Sequence, residues 1–149
     1  MERTRRTPLI RLPISGWTVR LGRGAADRAA LEVYEGSRMA DVCVATPVSV
    51  SVLRGAWRSP RGAAPWALAW GQLPAGVSSA SARFSTDRRN PASREIPAVV
   101  IEGTYWVAET AGDWAHVTVD TGLVRSSGRL HRLHRSRPAG TPRPGAFTQ

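Results

Sequence analysis

Proline and glycine interrupt this chain so often that long helices have little room to form. Eleven prolines and 14 glycines are spread over 149 residues, a density that suits short strands joined by turns. The length is enough for one domain with a proper core, and not comfortably for two. The hydrophobic fraction of 42% is that of a globular chain. No apolar run reaches the roughly 18 residues of a membrane-spanning helix.

The N-terminal stretch MERTRRTPLIRLPISGW is basic, but Arg11 and Pro13 break its apolar part. It makes a poor signal peptide. The expectation is a cytoplasmic protein, or a soluble part of something longer. Cys43 is the single cysteine, so no internal disulfide can form. Its setting, DVCVAT, is a strand pattern that predicts a buried, inert thiol.

Alternation of apolar and polar residues marks the strands. Trp17, Val19 and Leu21 alternate with Thr18 and Arg20. VCVAT (42–46) and VSVSVL (48–53) read as strands separated by Pro47. WALAWGQ (66–72) is a short apolar strand that stops at LPAG. In VSSASARFST (77–86), Ala80, Ala82 and Phe84 share one face, with Ser79, Ser81 and Arg83 on the other. EIPAVVI (95–101), GTYWVAET and DWAHVTV complete a meander. GAWRSPRGAAP (55–65) and DRRNPAS (87–93) read as loops. AADRAALEVYE (25–35) is ambiguous: its alanines favour a short helix near 25–32, while LEVYE suits a strand.

Together these features predict a mainly β fold, an antiparallel sandwich or open barrel of about seven to eight short strands. The expected organisation is an irregular basic arm over 1–13, one β domain over 14–124, and a basic, disordered tail over 125–149. The net charge of +10 is concentrated at the ends. Residues 1–11 hold four Arg and one Glu, residues 125–149 hold six Arg and no acid, and 12–124 is nearly neutral.

The stretch EGTYWVAETAGDWAHVTVD (102–120) carries one tryptophan on each of two strand-like runs. A two-residue turn at Glu102-Gly103 sets Val100 against Tyr105 and Val99 against Trp106. A three-residue loop ending at Gly112 then sets Trp106 against His116, whereas a loop of two or four residues would flip the last strand and move Trp114 and His116 to the other side. That register gathers Ile96, Ala98, Val100, Tyr105, Val107, Ala115, Val117 and Val119 on a core face. Val99, Ile101, Trp106, Ala108, Trp114, His116 and Thr118 fall on the other face, which is too apolar for a simple wet surface. The N-terminal half of the chain, another protein or second copy, or a ligand can cover it. Trp106, Trp114 and His116 are therefore the candidate interaction residues.

Other constellations point to less. His131 and His134 in RLHRLHR share a face only if helical, and no Cys, Asp or Glu lies nearby, so no metal site is expected. Arg129, Arg132, Arg135 and Arg137 are candidate polyanion contacts, without aromatic residues among them for base stacking. No Ser lies in a G-x-S-x-G turn. GRGAAD (22–27) lacks the Lys-Ser/Thr of a phosphate loop. Glu102, Glu109, Asp113 and Asp120 have ordinary turn-and-edge placement rather than a catalytic spacing. No enzymatic activity and no cofactor are expected.

WALAWGQLPAGVSSASARFSTDRR, followed by VVIEGTYWVAETAGDWAHVTV, resembles uncharacterised small β-sandwich domains of actinobacterial proteins. Those pair a G-x-x-P-A-G-V turn and strand with a dG-x-[YF]-W hairpin. The likeness covers residues 66–124 and implies a fold without implying an activity. The function expected is binding: a protein partner or self-association through the aromatic sheet face. The alternatives are a nucleic-acid-associated protein using its arginine-rich termini, and a carbohydrate-binding β-sandwich module with exposed Trp side chains.

Overall fold

The computed structural model describes residues 8–23, 27–87 and 91–134. Thirteen short strands form three sheets, and no α-helix occurs among the described residues. The first sheet is a meander of β1 (Ile10–Arg11), β2 (Thr18–Arg23), β3 (Ala29–Glu35) and β4 (Arg38–Val44). Val19 lies opposite Val33, and Leu31 lies between Leu21 and Cys43. The strand period of two therefore gathers these apolar side chains on one face.

Of the two readings of 25–35, the strand at LEVYE forms, as part of β3, and the short helix near 25–32 does not form from Arg28 onward. Residues 24–26 lie outside the described residues. From Ala29 the chain is extended and hydrogen-bonded on both sides. The alanines favour a helix only weakly, whereas burying Leu31 and Val33 needs the strand. β1 also brings part of the expected arm into the sheet, and Leu12 beyond it is buried.

The second sheet runs in the order β13 (His131–Arg132), β5 (Gly55–Arg58), β6 (Trp66–Gln72), β10 (Tyr105–Ala111), β9 (Val99–Ile101). The third runs β12 (Arg125–Arg129), β11 (His116–Asp120), β7 (Ser81–Ser85), β8 (Ser93–Pro97). All neighbours are antiparallel except β13 and β5. The second sheet is the middle layer. Trp66, Leu68 and Trp70 of β6 pack against the first sheet with Trp17, Val33 and Tyr105. Ala67 and Ala69 face the third sheet with Phe84, Val117 and Val119. All seven residues of β6 are consequently buried, which explains why its sequence is apolar throughout rather than alternating.

Single residues join the second and third sheets at two corners. Ala98 separates β8 from β9, and Leu130 separates β12 from β13. The Ala98 N–H donates to the Ala80 carbonyl at 2.9 Å, and the Leu130 N–H to the Ala115 carbonyl at 2.8 Å. Each extended segment thus passes from one layer to the other, the arrangement that makes corners in packed sheets. β12 and β13 occupy the start of the stretch expected to be a disordered tail. Residues 135–149 lie outside the described residues.

The segment 48–53, expected as a strand, joins no ladder. Its carbonyls are committed elsewhere: Ser51 accepts from the Gln72 N–H, and Val52 from the Trp106 indole. Residues 55–58, expected in a loop, instead pair with β6 as β5.

The meander expected over Ile96–Val119 is also corrected. Glu102 and Gly103 both take positive φ, as a tight two-residue turn requires. The ladder, however, pairs Tyr105 with Ile101 and Trp106 with Val100, one residue off the expected register. Thr104 still closes the turn, its N–H donating to the Ile101 carbonyl at 3.1 Å, but it is the extra residue that shifts the ladder, and its carbonyl accepts the Leu73 N–H at 2.7 Å. After β10 there is no hairpin. β10 pairs with β6 and β9, whereas β11 pairs with β7 and β12. Gly112 does take a positive φ, but the chain there crosses from the second sheet to the third.

Candidate functional site

Crossing between sheets places both tryptophans inside the molecule. Trp106 projects from β10 toward the third sheet and has no exposed surface. Its indole N–H donates to the Val52 carbonyl at 2.6 Å. Trp114 follows the crossing and is 8% exposed. Its indole N–H donates to the Ala111 carbonyl at 2.9 Å, and the Arg94 guanidinium lies 5.4 Å from its ring. The two indoles do share a core cluster, but the chain's own third sheet covers them. Neither is displayed to a partner.

His116 separates from them. It projects from the outer face of the third sheet and contacts Asp87. That hydrogen bond, followed by the charges of His116, Arg129 and Arg58, holds the Asp87 carboxyl below the usual carboxylate range. Ser85 stands opposite His116 on β7. The three residue types are those of a nucleophilic triad, yet no hydrogen bond joins Ser85 to His116 among the described residues. The side chains sit on an open sheet face rather than in a water-excluding cleft, so the arrangement gives no chemical support to catalysis.

The arginine candidates divide. Arg129 is exposed, with its guanidinium 4.0 Å from Asp87. Arg132 is largely committed: it donates to the Ser59 carbonyl at 3.2 Å and lies 3.8 Å from Asp113. Arg135 and Arg137 lie outside the described residues. Eight of the 21 arginines fall in 1–7, 88–90 and 135–149, against a single acid there. The described surface is therefore only mildly basic. His131 belongs to a strand and packs 5.7 Å from the Trp57 ring, so the helical pairing with His134 does not arise. No group of three metal-binding side chains occurs among the described residues. Cys43 is buried, and burial first, then the charge of Asp41, pushes its thiol up, as expected of an inert cysteine.

Two surfaces escaped the sequence. The first is the free side of β4. No backbone group of β4 bonds to anything beyond β3 among the described residues. Ala45 donates to Ala29 across the same ladder, so by antiparallel alternation the Val42 and Val44 N–H groups point outward. Met39 and Val44 are exposed, at 47% and 37%, and Val42 is half-buried. Beside them on the outer face, the Tyr34 hydroxyl donates to Glu32 at 2.5 Å, and Arg20 makes two further bonds to the same carboxylate. The Tyr34 bond first, and Arg20 after it, hold the Glu32 carboxyl below its ordinary range.

The second surface is a groove on the outer face of the third sheet, with a volume of about 430 Å³. Its floor is made of the short side chains Ser81, Thr118 and Ser127. Arg83 and Glu95 form one wall, paired at 3.2 Å, and Arg125 and Asp120 the other, paired at 3.0 Å. The alternation of Ser79, Ser81 and Arg83 marks this face as polar in the sequence. β7 and β8 are neighbours in the chain, joined across the loop read at 87–93, but the pairing of β11 with β7 has no local signal.

No protein-family model, curated protein or solved structure matches this chain.

Proposed function

We propose that this chain is a non-enzymatic protein-binding domain that self-associates by pairing β4 with β4 of a second copy. What supports this reading is the contrast among sheet edges. β1 and β13 have two residues each and β9 has three. β12 carries Arg125 and Arg129, and β8 carries Arg94, Glu95 and Pro97, the charges and proline that discourage strand addition. β4 is a seven-residue edge with outward N–H groups; its charges, Arg38 and Asp41, and its bulge lie in its first four residues, and the Asp41 carboxylate is already held by Arg54 and the Trp70 indole. Val42 and Val44 lie on the straight part. Unpaired backbone groups select an extended strand as partner, and a second copy supplies a matching one by two-fold symmetry.

Light scattering over a concentration series tests the proposal. The expected species is a dimer that dissociates on dilution. Val44→Pro removes an outward N–H while sparing the ladder to β3, and Val44→Lys places a charge on the edge. Both are expected to be monomeric with melting temperatures close to the parent protein. A parent chain that stays monomeric at every concentration, or folded variants that still dimerise, would overturn it.

A further inference from the structure

We infer that the groove across the outer face of the third sheet is a binding site for a neutral polyhydroxyl ligand, a carbohydrate. The groove exists because of side-chain length. Thr118 stands between Ser127 and Arg83 on neighbouring strands, and Asp120 between Arg125 and Ser81. The short Ser81, Thr118 and Ser127 run diagonally across this grid, with a longer charged pair on either side. At about 430 Å³ the groove falls within the roughly 300–1,000 Å³ of small-molecule sites. A second depression of about 550 Å³ shares Ser81, Glu95 and Asp120 with it and extends past Thr121 and Gly122. The two shapes together suit an elongated ligand.

The lining selects the chemistry. Two guanidiniums and two carboxylates cancel in charge, so a phosphate or other anion finds no net attraction. Among the described residues no large apolar side chain lines the 430 Å³ groove, so a hydrophobic ligand gains nothing from them. Vicinal hydroxyls suit it well, because carboxylates accept and guanidiniums donate in pairs, while the serine and threonine hydroxyls do either. The pairs are already held in place: Asp120 accepts from both the Gly122 N–H and Arg125, and Thr118 shares a hydrogen bond with Ser127 at 2.8 Å.

The test is an amide chemical-shift titration of the full chain with cellobiose, maltose and chitobiose, and with inorganic phosphate as a separate arm. At least one disaccharide is expected to shift residues of β7, β11 and β12, with phosphate leaving them unmoved. Arg83→Ala, and Asp120→Asn, which keeps the acceptor for Gly122, should each weaken that binding about tenfold or more. If either variant proves unfolded by its melting curve, Ser127→Tyr, which fills the floor from an edge strand, replaces it. The inference is overturned if no disaccharide shifts these residues, if phosphate alone does, or if folded variants bind as well as the parent.

Discussion

Trp106 stands opposite Gly71 on the neighbouring strand, and the absent Gly71 side chain lets the indole reach the Val52 carbonyl. A Cβ on Gly71 would lie 2.0 Å from the Val52 oxygen and 2.8 Å from the indole nitrogen. The clash involves backbone, so it cannot be relieved by a rotamer change. Gly71→Ala is expected to destabilise the fold by about 1–3 kcal/mol, the range of overpacked cores. The urea midpoint measures this, and an unchanged midpoint would contradict the close approach.

Trp106→Phe examines the same contact from the other side. An aromatic ring is kept, but the pyrrole part of the indole and its N–H are lost, leaving a void and the Val52 carbonyl buried without its indole donor. A loss of about 1–3 kcal/mol is expected from the unmade hydrogen bond, with a further cavity contribution. The variant should remain a folded β protein by circular dichroism. A stability equal to that of the parent would place the indole on the surface.

Glu109 fastens the N-terminal turn to the middle sheet. Its carboxylate accepts the Ile14 N–H at 2.7 Å and the Ser15 N–H at 2.8 Å, across more than 90 positions of sequence. Glu109→Ala is expected to raise hydrogen-exchange rates at Ile14 and Ser15 selectively, with β6 and β10 staying protected. Uniform acceleration across all three sheets would show a global rather than a local effect.

Tyr105 makes stability depend on alkaline pH. Burial, followed by the influence of Cys43, pushes its hydroxyl up to about 12, and that hydroxyl donates to the Ala29 carbonyl at 2.8 Å. The folded value lies above the ordinary value of 10.0, so the folded state holds the proton more tightly. This stabilisation is complete below pH 10 and is lost as pH rises from there to about 12. Tyr34 shifts upward as well, through its bond to Glu32. Urea midpoints between pH 8 and pH 12 should therefore fall less steeply in Tyr105→Phe than in the parent, and not become flat. Equal slopes would remove Tyr105 from the linkage.

Much of the strand content was legible because a half-buried strand alternates. Thr18–Arg23 and Val117–Val119 carry that alternation, and Trp66–Gln72 carries the continuous apolar run of a strand buried on both faces. The Glu102-Gly103 turn was legible for the same local reason, since Gly tolerates a positive φ. The candidate site was not legible. Its groove lies where two local strand pairs, β7–β8 and β11–β12, meet through the long-range pairing of β7 with β11.

From sequence alone came the β class, the turn-rich layout and the mismatch between a nearly neutral body and basic ends. These depend on composition and on side-chain period, both local properties. Tertiary structure alone decided that the chain forms three layers, that β10 and β11 part company, and that Trp106 and Trp114 face inward. The reason is physical: one residue of slippage at Thr104 and one crossing at Gly112 reassign faces and partners, and long-range carbonyl acceptors such as those of Val52 and Ala80 determine the outcome.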